Sequence, residues 1–278
     1  MAVAVSAESL PGGPGPKAGV TVTGLGVGSS IVTVWRTVDG LRGPVRGARR
    51  IVMNDAGFVT DWDAPINRPV SYEVEVLSGP GGPVRKTAAP VTVASLSGWL
   101  MDPFVPQTAV PIFAKPKGDE VHLQSTALAS LEYSADVSMY NVMGSSQPLA
   151  LFGERMAARG VDISMATKAA EGSKRLKELL LSSSGFLFRP GPELDGVHLE
   201  ALMFLAAPTF SQVPIDIQYG GELTWWNFKA DTVAAPTIKV LTATFTYGDV
   251  QLLTDTYQQK QDSMSGLTYL DDLKNPLS

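Results

Sequence analysis

Residues 70–76 read VSYEVEV, with Val70, Tyr72, Val74 and Val76 on one side and Ser71, Glu73 and Glu75 on the other. That is the two-residue period of a half-buried strand. Shorter alternations fill the chain from Gly19 to about Ala94: Val20, Val22 and Leu25, then Ile31, Thr33 and Trp35 against Val32 and Val34, then Phe58 to Trp62 and Val91 to Val93. Turn signals separate them at Gly24–Gly28, Asn54–Gly57, Ala64–Pro69 and, most densely, Ser78–Pro83. Short strands at this spacing predict a sandwich over residues 19–97, with Trp35 and Tyr72 as core aromatics. The preceding residues 1–18 are small, rich in Gly and Pro and nearly uncharged, and are expected to form a flexible N-terminal arm.

A second β-sandwich is expected over 98–245, with strands near 108–114, 120–124, 129–140 and 147–152. The 129–140 segment also fits helical spacing in part. Within 161–189 the period changes. Val161, Ile163 and Met165 alternate as a strand, then Leu176, Leu179 and Leu180 form the stripe of a short helix with Ser173 as its expected N-cap. Ser182–Gly185 should end that helix through a positive-φ glycine, and Phe186–Phe188 resumes as strand up to Pro190. A covering helix on a sandwich is the implied arrangement. Val197–Phe204, apolar on both faces, reads as a central strand, followed by strands at 210–219, 223–230 and 238–245. On the 223–230 strand Trp225 and Trp226 point to opposite faces, one to the core and one outward as a candidate contact.

Composition narrows the chemistry. Of 278 residues none is cysteine, which excludes disulfides, thiol catalysis and thiolate metal sites. The net charge of −5 gives no reason to expect nucleic-acid binding. No window approaches the roughly 18 apolar residues of a membrane span, and the N-terminus lacks the basic start of a signal peptide. His122 and His198 stand far apart in sequence, each on an expected strand, and only Glu120 or Glu200 offers a nearby carboxylate; a metal pair is not the expectation. Asp61-Trp62-Asp63 and Asp271-Asp272 read as solvated loop charges. Arg42, Arg46, Arg49 and Arg50 read as a solvated or interface patch. Gly24–Gly28 lacks the helix and acid of a nucleotide loop and reads as a turn, and no serine sits in a nucleophile elbow. No cofactor and no enzymatic activity are expected.

Beyond residue 245 a weak repeat appears. Thr246-Tyr247-Gly248-Asp249 recurs as Thr256-Tyr257 and as Thr268-Tyr269-Leu270-Asp271-Asp272-Leu273. Each unit is too short for a core of its own, so residues 246–278 are expected to dock on something else, with Tyr247, Tyr257, Tyr269, Leu270 and Leu273 as contacts.

The run LKELLLSSSGFLFRPG, preceded by SGWLMDPFVP and followed by the Thr-Tyr-x-Asp repeat, resembles the minor tail proteins of long-tailed (siphovirus-type) actinobacterial phages over about residues 95–278. Trp35 and Tyr72 resemble the core aromatics of an immunoglobulin or fibronectin type III-like module. The resemblance implies a structural component of a phage tail tip, assembled in the host cytoplasm and carried in the virion. Its partners would be other tail proteins and copies of itself in a ring. The alternative is a carbohydrate-binding or adhesin-like module touching the bacterial surface, with Trp99 or Trp226 stacked on sugar rings.

Overall fold

The computed structural model describes residues 2–10, 13–141, 143, 146–215, 217, 223–236 and 256–265. The chain is mostly β with several sheets. Within the first hundred residues the strands are β1 (Ala4–Leu10), β2 (Lys17–Thr23), β3 (Ser29–Val38), β4 (Leu41–Pro44), β5 (Ile51–Asn54), β6 (Gly57–Asp61), β7 (Pro69–Ser78), β8 (Val84–Thr87) and β9 (Val91–Thr92). They form a sheet ordered β1-β2-β6 and a second ordered β4-β3-β7-β8, with β5 on β3 and β9 on β7. Both sheets turn their apolar faces to one core of Val20, Val22, Val32, Val34, Val59, Val70, Tyr72, Val74 and Val76. The alternation of VSYEVEV is realised, its four apolar side chains all buried.

Two expectations fail here. The flexible arm is not one: residues 4–10 pair along their whole length with β2, Ala4 opposite Thr23 and Leu10 opposite Lys17. Val5 and Ala7 pack partly on the core, and the backbone finds a ladder that sequence composition alone does not announce. Trp35 is not a core residue either. Period 2 sends Val32 and Val34 inward, so the indole lies on the outer face of β3, under the Arg42 guanidinium at 3.9 Å and donating to Glu75. Glycine turns behave as read: Gly24, Gly26 and Gly28 all have positive φ between β2 and β3.

The second module contains β10 (Gly98–Met101), β11 (Val110–Ile112), β12 (His122–Leu123), β13 (Ala135–Tyr140), β14 (Leu149–Arg155), β15 (Val161–Asp162), β16 (Met165–Thr167), helix α1 (Ala170–Ser182), β17 (Gly185–Arg189), β18 (Met203–Ala206), β19 (Phe210–Ile215) and β20 (Leu223–Thr232). Its large sheet runs β11-β10-β17-β18-β20-β16-β12, with β15 and β19 also on β20. The sheet curls until its ends meet, Phe113 N–H donating to Val121 O and Leu123 N–H to Phe113 O. Two halves thereby face each other across one core. α1 lays Leu176, Leu179 and Leu180 on that core, each contributing on the order of 1.5–3 kcal/mol of apolar burial.

Local details differ from the sequence reading. α1 is entered from Ala169 without a side-chain cap; Ser173 instead shares a hydrogen bond with Thr167. The helix ends on an extended Ser183 and Gly185 already belongs to β17, so no positive-φ glycine is used. Residues 192–197 form a 3-10 turn followed by His198 in the left-handed region, and the strand begins only at Met203. The central strand expected over Val197–Phe204 is therefore shorter and later: the 3-10 turn takes Val197, an irregular stretch follows, and the strand is Met203–Ala206. The strand expected at 238–245 lies outside the described residues.

The two modules meet where β10, β17 and β18 turn their outer faces toward the first. In β17 Phe186 and Phe188 enter the second core, while Leu187 joins Met101, Ala109 and Phe204 beside Trp62 and Trp99. At the edge of this contact a Cβ on Gly191 would overlap the backbone of Gly98, so only glycine lets the end of β17 approach the start of β10 this closely.

Candidate assembly surface

At the junction the chain buries charge. Asp61 and Asp63, both nearly inaccessible, end β6 and leave it. Asp61 accepts from Arg36 Nη1 at 2.9 Å, from the Tyr72 hydroxyl at 2.9 Å and from the Asp63 N–H at 3.1 Å. Asp63 is held by Arg46 through two bonds of 2.7 and 2.6 Å, the forked geometry that makes such pairs strong. These carboxylates are not solvated loop charges and Arg46 is not a surface patch residue. The partners that overturn that reading come from β3, from the loop after β4 and from β7. Arg42 does stay at the surface, paired with Glu73.

Arg189 reaches into this cluster from the second module. It is 1% exposed, and its Nη1 donates to Pro16 O at 2.6 Å and Ala64 O at 3.2 Å. Burial pushes its guanidinium down to about 10, with the nearby Asp63 and Asp61 opposing the change. Burial also works against the charge on Arg36, yet Asp61 and Asp63 more than offset it and raise that group. Burial first, then the Asp61 charge, hold the Tyr72 hydroxyl protonated far above its ordinary range. Burial lowers Lys17 as well, whose ammonium lies 4.7 Å from the Trp62 ring centre and donates to Gly13 O. Three guanidinium groups against two carboxylates, sealed between modules, make a clamp rather than a reaction centre: every carboxylate oxygen has a fixed donor.

The opposite situation holds at β13 and β14. Among the described residues they pair only with each other, Val137 opposite Phe152, Met139 opposite Ala150 and Tyr140 opposite Leu149. The stem continues through Met156 N–H to Ser134 O and Arg159 N–H to Glu132 O. One face carries Val137, Met139 and Phe152; the other carries Tyr140, Leu149 and Leu151. All of these are exposed, Phe152 at 82% and Met139 at 71%, and Met143 near the tip is fully exposed. A strand apolar on both faces is the pattern of a strand covered on both faces, and an isolated two-stranded hairpin is marginal in water. The 129–140 segment also fits helical spacing in part, but its alternation of Leu131, Tyr133, Ala135, Val137 and Met139 against Glu132, Ser134, Asp136 and Ser138 is realised as strand over Ala135–Tyr140.

The sequence-derived contact residues fare unevenly. Trp226 is wholly buried, its Nε1 donating to Thr167 Oγ1 at 2.9 Å, so it is a core residue and not a contact; its neighbour Trp225 is the exposed indole. Period 2 separates the two but does not say which face is the core. Trp99 is half-buried at the module junction, donating to Ser95 Oγ and packing against both adjoining apolar clusters. Tyr257 opens helix α2 (Tyr257–Ser263), and Thr256 caps it with a reciprocal bond pair to Gln259. Tyr247, Tyr269, Leu270 and Leu273 lie outside the described residues. His122 sits on β12 with Nδ1 3.3 Å from Glu120 O, and His198 follows the 3-10 turn rather than lying on a strand. Among the described residues no three His, Asp or Glu side chains gather as metal ligands, and no helix is long and apolar enough to cross a membrane. No protein family, curated protein or solved structure matches the chain.

Proposed function

We propose that the protein is a structural subunit that joins copies of itself through the 132–159 hairpin, and that the assembly belongs to a phage tail tip. The observation that carries the first part is the hairpin, with exposed apolar side chains on both faces and, among the described residues, no further strand paired to it. Its exposed apolar side chains amount to on the order of 500–900 Å², close to the ~800 Å² that each partner contributes to a standard interface. A second hairpin pairing along a free edge would make a four-stranded sheet, past the size at which such sheets persist. Within residues 132–159 Glu132, Asp136 and Glu154 stand against Arg155 and Arg159, so the near-balance of charge leaves little repulsion between two copies. The tail-tip setting is supported by the resemblance of residues 95–278.

Sedimentation of the full chain across a concentration series tests the assembly. Wild-type protein should form defined oligomers, and the double variant Met139→Asp/Phe152→Asp should stay monomeric at every concentration. A wild-type chain that remains monomeric at ~100 μM, well above the range of stable subunit contacts, would sink the reading. Gold labelling at Ser278 on intact particles tests the setting separately.

A further inference from the structure

We propose that the outer face of the β12-β16-β20-β19 sheet is a binding site for a neutral saccharide chain, with Trp225 as its stacking platform. Two hollows of about 360 and 500 Å³ lie on this face and share Gln124 and Thr126 in their walls, each within the size range of small-ligand sites. Trp225 and His122 line the first; Asn227, Phe210 and Lys229 line the second. Trp225 is 42% exposed, flanked in register by Ala166 on β16 and Val213 on β19, whose small side chains leave the indole uncovered.

Asn227 occupies the next outward position on β20, roughly 7 Å along the strand, a step comparable with one sugar ring. Its Oδ1 accepts from Gln124 Nε2 at 3.0 Å, and the same Nε2 donates to Met165 O at 3.0 Å. The two carboxamides are thus locked in orientation. Among the described residues Asn227 Nδ2 and Gln124 Oε1 have no protein partner, which leaves a fixed donor and a fixed acceptor side by side. Vicinal hydroxyls, each donor and acceptor, match such a pair, while the apolar face of a pyranose matches an indole. The charges at the far end, Lys229 and Asp162, are opposite each other on β20 and β15, so the trough is balanced and favours an uncharged chain over an acidic one. None of this depends on the hairpin.

The test is titration of the full chain with hexasaccharides of glucose, galactose, mannose and N-acetylglucosamine, read by tryptophan fluorescence and calorimetry. At least one should bind saturably with a change in Trp225 emission. Trp225→Ala should weaken it by about tenfold or more, Asn227→Ala several-fold, and Trp225→Phe should retain part of the affinity because a flat ring remains. Trp225 and Asn227 are each partly covered, so melting curves are run beside the titrations, and Trp225→Phe, which keeps a ring in place, separates lost stacking from lost stability. Absence of saturable binding to all four at ~10 mM, or binding to Trp225→Ala at wild-type strength, overturns the proposal.

Discussion

The module junction and the 132–159 hairpin reverse each other's chemistry. At the junction Asp61, Asp63 and Arg189 are shut away from water, where apolar side chains are the usual occupants; on the hairpin Met139, Leu151 and Phe152 stand in water, where polar ones are. Within one chain the two placements teach different things. Buried carboxylates whose every oxygen has a donor within the same chain describe a finished contact, since their desolvation is offset by fixed hydrogen bonds. Exposed apolar strands describe an unfinished one, since nothing among the described residues covers them. The contrast predicts that substitutions at the junction act on folding and substitutions on the hairpin act on association.

The largest effect should come from Asp61→Ala. It leaves the Tyr72 hydroxyl without its acceptor and Arg36 with only the Asp63 carbonyl, and loss of one partner from a buried ion pair costs about 3–5 kcal/mol. Urea unfolding measures it. A loss below ~1 kcal/mol would show that water enters the junction and replaces the carboxylate.

Arg189→Ala should be next. It removes donors from Pro16 O and Ala64 O, worth about 1–3 kcal/mol where a buried carbonyl is left unpaired, and it also relieves the burial of one unmatched charge, so a net loss of ~2 kcal/mol is expected. The more telling readout is calorimetric. Arg189 is the charged side chain with which the second module grips the first, so its loss should broaden or split the melting transition. An unchanged single transition would mean that Met101, Leu187 and Trp62 alone couple the modules.

A smaller effect distinguishes the charges within the clamp. Tyr72 keeps its proton in the folded chain well above its ordinary value of 10.0, whereas the unfolded chain releases it there. The folded state then holds more protons, so this group's stabilisation is complete below pH 10 and falls by up to ~1.4 kcal/mol per pH unit above it. Arg189 has the opposite sign. Burial pushes its folded guanidinium down to about 10, below where the unfolded chain gives up that proton, so stability from this group rises with pH above about 10. Tyr72→Phe should cost ~1–2 kcal/mol at neutral pH through its lost bond to Asp61. The gap between wild type and variant should then close above pH 10. A gap independent of pH would show that Tyr72 ionises in place.

Much of the fold was legible because it depends on neighbours in sequence. VSYEVEV, the Leu176/Leu179/Leu180 stripe and the glycine turns each state their own geometry within a few residues. What escaped depends on distant partners. The ligands of Asp61 and Asp63 come from Arg36 and Arg46, 25 and 17 residues away, and the clamp is closed by Arg189, 125 residues from the carbonyl it binds. The choice between Trp225 and Trp226 fails for a related reason: alternation assigns two faces, and only the curling of the sheet decides which is inside. Strand β1 was hidden because its weak alternation acquires meaning only beside β2.

The smallest effect on folding should come from Met139→Asp/Phe152→Asp. Both side chains lie largely in water on the isolated chain, so a carboxylate there loses almost no burial, and exposed substitutions of this kind stay within about 0.5 kcal/mol. The same pair should abolish oligomers, because two carboxylates brought into a desolvated interface each carry a cost that apolar contacts there cannot offset. Large effect on association with almost none on melting is the signature of an open contact. A fall of ~2 kcal/mol in stability of the monomer would give the other answer: the faces of the hairpin would then be covered by this chain itself, and the inversion between the two regions would disappear.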